Sequence, residues 1–431
     1  MKRSVLLKLL GLVAISSMLL TACGGGGAAQ PQPATPAPAV TQSAATTAPA
    51  TAAPTVQAAG APTEAVVSSG KKTADGFDCP APENKVDVQS KELNLFVWTE
   101  YIPQDVQECF QLVYGIKVNR DEYSSNEEMY AKLNAGATAY DLVQPTNFIV
   151  APMIRNNLIQ KLDKSKLAVI GNFDPKYLGL PYDPNNDYTI PYEAGTDAIV
   201  YNADKIKTPP TSWADLWKNG CLSKNMVMLD GAHDIIGATL AGLGYDVNTK
   251  DPTQLDAAKA KLLVMAPCVK SYDSDSPKTS LIAGDTDLGI IWTGDAFLAQ
   301  QQVPSIKYVY PTEGALLWQD NYAIPKSAPH LDAAYAWLNY TMQGDVFWMM
   351  LRDFPYTNPN QAALNYAKDN QMAVKDSNGN DTTLAKLYAA YMNSPITNTP
   401  PDAIKAGHWL DDLGDAAPLY DKIWTEVKGG H

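Results

Sequence analysis

Leu93-Asn94-Leu95-Phe96-Val97-Trp98-Thr99-Glu100-Tyr101 is the stretch on which the fold turns. Its first half is a short apolar run of the kind a buried strand carries. Its second half breaks abruptly into an indole, a hydroxyl, a carboxylate and a phenol. Pro103 then opens a helical pattern through Val106, Phe110 and Val113, which Gly115 stops. Open α/β sheets bind ligands at the carboxyl ends of their strands, where strand gives way to helix. Taken alone, the stretch reads equally well as two aromatics plugging a sheet end. Recurrence of the same grammar downstream favours a site.

Ile116-Lys117-Val118 reads as a second strand, and Ser125-x-x-Glu128 as a capping box that opens a helix ending at Gly136. Tyr140-Asp141-Leu142-Val143 is a third strand, leading into Thr146 and Phe148. Residues 226–229 form a strand that runs into Gly231 and Asp234 and then an apolar helix. Leu288-Gly289-Ile290-Ile291 ends in Trp292-Thr293-Gly294-Asp295, and Leu316-Leu317 ends in Trp318-Gln319-Asp320. Strands alternating with helices predict an α/β fold with mostly parallel sheets flanked by helices. A chain of 431 residues exceeds one core, so two lobes are expected.

The residues gathered at these strand ends are acids and flat rings. Helix amino termini meet there too, and their dipoles favour anions by default. A site built of carboxylates works against that default and suits a cation. The arginine count agrees: only Arg3, Arg120, Arg155 and Arg352 occur, too few to spend a guanidinium fork on a carboxylate or phosphate ligand. A formal net charge of −13 disfavours nucleic acid. With histidine only at 233, 330, 408 and 431, neither a metal nor another cofactor is expected.

Residues 1–22 have a basic start, an apolar core and a small-residue end, and read as a signal peptide. Leu20-Thr21-Ala22-Cys23 is a lipobox pattern that predicts lipidation at Cys23. Residues 23–85 are treated as a linker, the Ala-, Pro- and Thr-rich part to about Gly70 being too poor in large apolar residues to fold. Its reach is on the order of 40 Å. Cys79, Cys109, Cys221 and Cys268 remain, and three pairings are possible in an exported protein. Cys79–Cys109 and Cys221–Cys268 are favoured, since each pair then stays within one lobe.

Long runs in this order carry a family resemblance: WTEY at 98–101, SNE at 125–127 with MYAKL at 129–133, YDLV at 140–143, IQKLDKSKL at 159–167, DPNNDYTIPY at 183–192 and TSWADLWK at 211–218. They resemble the periplasmic polyamine-binding proteins of ABC importers, the spermidine and putrescine binders. That resemblance implies two α/β lobes joined by crossing strands, with ligand held between them. It divides the chain into a first lobe of 86–198 and 319–368 and a second of 199–318 and 369–431. It implies ligand contacts from Trp98, Thr99, Tyr101, Thr146, Phe148, Asp234, Trp292, Trp318, Asp320 and Tyr356. Asp295 resembles a ligand aspartate of the putrescine type. Gly231 and Leu410 depart from the spermidine type, which has aspartate and glutamine there, and Glu193 and Asp197 add acid near the hinge. The expected protein is therefore a monomeric, lipid-anchored binder in the periplasm or on the outer face of the cytoplasmic membrane. It would pass a polyamine to the permease and ATPase of an importer.

Two rival readings are open to the sequence. One is a binder of another cationic solute, a guanidinium compound or betaine. The other is a surface hydrolase using Asp295 and Asp320 as an acid pair. Against the second, the chain has no nucleophile elbow, phosphate loop or zinc signature, and no catalysis is expected.

Overall fold

The computed structural model describes residues 67–137, 139–218 and 221–429. The proposed signal peptide and the lipidation at Cys23 lie outside them. The described chain opens with a hairpin, β1 (Ser68–Lys72) against β2 (Asp78–Pro80), which Cys79–Cys109 ties to the first helix. The linker boundary at 85 is thus too late. Asp78 pairs with Lys72, and Cys79 is fully buried in a core that the composition of this stretch did not advertise.

The quoted stretch forms β3 (Glu92–Trp98), and α1 (Gln104–Tyr114) follows as its pattern predicts. Gly115 closes α1 at φ 67°, a left-handed turn that suits glycine. Next come β4 (Lys117–Tyr123), α2 (Asn126–Asn134), β5 (Leu142–Val143) and α3 (Asn147–Arg155). Ser125 caps α2 by accepting from the Glu128 amide at 3.2 Å. β4, β3 and β5 pair in parallel, in that spatial order.

β6 (Thr189–Asn202) is fourteen residues long and buried throughout. Beyond it lie β7 (Met226–Met228), α4 (Ala232–Gly242), α5 (Pro252–Met265), β8 (Val269–Tyr272), α6 (Lys278–Ile282), β9 (Leu288–Trp292) and α7 (Thr293–Gln302). β9, β7 and β8 form a second parallel set. β10 (Ile306–Val309) lies antiparallel on β6. β11 (Leu316–Ala323) then runs antiparallel to both β6 and β5. α8 (Leu331–Thr341) packs over the first set, with Ala333, Ala336 and Trp337 fully buried.

The sheet order β4-β3-β5-β11-β6-β9-β7-β8 therefore joins two parallel triplets through two long antiparallel strands. This is the expected two-lobed architecture with crossing strands. Separate cores sit on the two triplets, one around Leu95, Val97, Phe110 and Trp337, the other around Met226, Ile235, Leu240 and Leu288. Cys221–Cys268 lies with the second. Leu384 and Tyr391 belong to the first core. The helix Leu384–Asn393 thus packs with the first lobe, where the sequence division puts 369–431 in the second; from Ile396, buried with Val227, Ile291 and Phe297, the chain returns to the second lobe.

One irregularity matters for the site. Between Gln319 and Asn321 the β6–β11 register slips, so that Tyr192 and Glu193 face the single residue Asp320. A bulge of this kind re-aims side chains where regular pairing would alternate them.

Candidate functional site

The ends of both triplets and the bulge meet around one cavity. Every predicted contact residue lines it except Asp295: Trp98, Thr99 and Tyr101 after β3, Thr146 and Phe148 at the start of α3, Asp234 in α4, Trp292 ending β9, Trp318 and Asp320 in β11, and Tyr356. Ser124, Ser125, Asn126, Glu127, Gly231 and Ser274 complete the wall.

Each ring is held in place. Trp98 donates its indole N–H to the Gln144 carbonyl at 3.0 Å and leans on Tyr123 and Trp292, with ring centres 4.7 and 6.2 Å away. Trp318 donates its indole N–H to Asp197 at 2.8 Å and meets Tyr356 edge-on at 5.6 Å. Trp318 packs against Gly195, its register partner on β6, where a Cβ would come within 2.4 Å of the ring. Tyr356 lies on Gly294 in the same way, at 2.8 Å.

Asp320 is almost wholly buried. The Tyr101 hydroxyl donates to one of its oxygens at 2.8 Å and the Thr146 hydroxyl to the other at 2.6 Å. Thr146 is itself oriented by Asn126, which both donates to its hydroxyl and accepts from its amide. Two hydroxyl donors favour the carboxylate, yet burial outweighs them and holds the Asp320 carboxyl up at about 7.

The neighbouring acids share that predicament. The Asp197 carboxyl, buried by β6, is pushed well above its usual range by burial and by Asp234, with which it shares a hydrogen bond. Asp234 is raised too, chiefly by burial. Two carboxyls in such contact share a proton. Glu127 is pushed up to about 7 by burial and by the nearby Asp234. Behind Asp320, Glu193 is fully buried with both oxygens unpartnered, and is raised by burial and then by Asp320. Among the described residues no lysine or arginine is ion-paired with any of these five acids; every resolved neighbour that shifts them is a hydroxyl, an amide, an indole or another carboxyl.

Asp295 sits elsewhere. It lines a smaller cavity beyond the wall formed by Thr99, Trp292 and Tyr356. Its oxygens are taken by the Lys278 ammonium at 3.0 Å and the Tyr356 hydroxyl at 2.7 Å. The two departures also resolve physically. Leu410 is fully buried in the second core and off the cavity wall. Gly231 lines it, and a Cβ there would fall 2.0 Å from an Asp234 oxygen, so the missing side chain makes room for the neighbouring acid. Glu127 and Asn126 were missed as wall residues. Their signals were the capping box beside them, which marks a helix start and thus a strand end, and the SNE run at 125–127.

The chemistry available is therefore desolvated acid set among ring faces. Likeness to known proteins points the same way. The chain is 38% identical over 342 residues to the spermidine/putrescine-binding periplasmic protein of Escherichia coli K12, covering 78% of this chain and 92% of that one. It is 33% identical over 360 residues to a putrescine-binding periplasmic protein of Pseudomonas aeruginosa, covering 79% and 93%. Among solved structures, a putative spermidine/putrescine ABC transporter protein from Listeria monocytogenes matches with a TM-score of 0.71 at 27% identity, covering 79% of this chain and 99% of that one. A lipoprotein of Treponema pallidum matches at 0.65 and 27%, covering 78% and 99%. Residues 106–382 match the family described as bacterial extracellular solute-binding protein, and the chain belongs to that family.

Proposed function

We propose that this chain captures a polyamine, putrescine or spermidine, in the cavity between its lobes and hands it to the permease and ATPase of an ABC importer. The observation that carries the reading is the set of desolvated acids with no cation of the protein's own among them. An ammonium entering the cavity loses strong hydration and must regain charge-assisted hydrogen bonds from ionised acceptors. Asp320, held by Tyr101 and Thr146, supplies one such station. Asp234, with Asp197 behind it and Glu127 nearby, supplies another. The methylenes between want apolar walls, and Trp98, Trp292, Trp318 and Tyr356 offer ring faces that also attract the cation, by about 2 kcal/mol for a desolvated contact.

The chain acts as a carrier and not as an enzyme. Its proposed signal peptide and Cys23 would anchor it by lipid outside the cytoplasmic membrane, a reading with which the Treponema lipoprotein is consistent. Monomer is the proposed working state. The lobes would close as ligand bridges them, because only the closed form lets both touch it.

Isothermal calorimetry with putrescine, cadaverine, spermidine, agmatine and betaine tests the reading. One-to-one binding of a diamine or triamine at least a hundredfold tighter than betaine is expected, since a quaternary ammonium cannot donate to Asp320. Preference for betaine or agmatine would replace this reading with that of another cationic solute.

A further inference from the structure

Asp197 lies on the long crossing strand β6, fully buried and behind the residues that line the cavity. One of its oxygens accepts from the Trp318 indole at 2.8 Å. The other has no donor among the described residues, and the side chain shares a hydrogen bond with the Asp234 carboxyl. Two buried carboxyls in contact need a proton between them. The titratable groups that face Asp197 are Asp234 from α4, Asp320 from β11 and Tyr308 from β10, and none of these brings a positive charge.

The surroundings decide which acid keeps the proton. Asp234 stands in the first turn of α4, where the helix dipole favours a negative charge, and it borders the cavity, where an ammonium can reach it. Asp197 has neither advantage. A proton on its free oxygen would donate to Asp234 while the other oxygen goes on accepting from Trp318, so both of its polar contacts are used. An ionised Asp197 would leave that oxygen buried with nothing to accept from, and would set two negative charges against each other.

We propose that Asp197 is a positioning residue that works as a neutral acid: its hydroxyl holds the Asp234 carboxylate at the cavity and its carbonyl oxygen holds the Trp318 ring. One side chain thereby sets both a charge station and an aromatic wall without touching the ligand. The inference rests on the polyamine reading. It separates the acids that carry charge to the ligand, Asp320 and Asp234, from one that carries only hydrogen bonds. Asparagine would serve at 197, because it keeps the acceptor and replaces the hydroxyl with an amide donor. At 320 it would not.

The test is calorimetry on wild type, Asp197→Ala and Asp197→Asn with putrescine and spermidine. Titrations run at pH 7 in two buffers of different ionisation enthalpy, with thermal melts beside them. Asp197→Ala should weaken binding of the amine that wild type prefers at least tenfold, and Asp197→Asn should restore it to within threefold of wild type. Should Asp197→Ala not fold, Asp197→Leu, likewise without a polar atom, replaces it with the same expectation. Protons released on binding should be equal in Asp197→Asn and wild type, since Asp197 keeps its proton throughout. A loss beyond threefold in Asp197→Asn, its failure to fold, or release of about one proton fewer would make Asp197 a charged group and overturn the proposal. A loss under tenfold in the folded apolar variant would leave Asp197 with a structural role alone, and overturns it equally. Either result leaves polyamine binding by wild type intact. Failure of wild type to bind either amine overturns the polyamine reading itself, and the role of Asp197 with it.

Discussion

Asp320→Asn is expected to weaken polyamine binding by about 3–5 kcal/mol, the usual cost of leaving a buried charge without its partner. Each 1.4 kcal/mol is about tenfold, so the loss should be between a hundredfold and a few thousandfold. The substitution keeps the size of the side chain, but an amide has a single accepting oxygen, so the side chain can no longer accept from both the Tyr101 and the Thr146 hydroxyls. Stability should move differently from affinity. The aspartate resists ionisation because it is buried, so the unliganded variant should melt no lower than wild type at pH 8. Titration calorimetry and melts on the same preparation check both halves. A loss of affinity under tenfold would remove Asp320 from the binding account. A large fall in melting temperature would make it structural.

The second large effect is on pH dependence. Asp320 rises from 3.8 to about 7 on folding, and Glu127 from 4.5 to about 7; Asp197, Asp234 and Glu193 rise as well. A raised acid binds its proton more tightly in the folded chain. Its stabilising contribution is therefore complete below its unfolded pKa and lost as pH climbs through the folded one. For Asp320 alone the change is about 4 kcal/mol. His233 opposes it: burial lowers its pKa from 6.5 to about 4, which favours the fold as pH rises over the same window. One histidine stands against five carboxyls, so the unliganded protein should melt at a higher temperature at pH 5 than at pH 8. Polyamine should reverse the trend, because its ammonium groups favour the ionised acids. Binding near pH 7 should release protons, and affinity should fall as pH is lowered from 8 to 5. Scanning calorimetry across this range, with and without putrescine, reads each sign. An unliganded melting temperature that rises from pH 5 to 8 would contradict the electrostatic account.

The strand ends were legible because each is a local event. An apolar run that stops at Trp98, Thr146, Trp292 or Trp318 declares itself within a few residues. Ten-residue windows also gave α1 and α2 their caps, at Gly115 and Ser125. What escaped depends on distant packing. Glu193 and Asp197 are read as acids near the hinge, but their role is not, because all fourteen residues of β6 are buried and no alternation marks which side chains face the site. The bulge opposite Asp320 arises from register between strands more than a hundred residues apart. Asp295 was assigned to the ligand because no local signal reveals that Lys278, seventeen residues earlier (295 − 278), reaches the same spot. Leu384 and Tyr391 follow a polar hairpin, Ala373–Lys375 against Asp381–Thr383, and nothing local shows that the helix after it returns to the first core.

A crystal structure of the protein with putrescine would test the central claim most directly. One ammonium should lie within about 3 Å of Asp320 and the other should reach Asp234, with the methylenes between the faces of the Trp98, Trp292 and Trp318 rings. An amine bound outside this cavity, or inside it with Asp320 still bonded only to Tyr101 and Thr146, would contradict it.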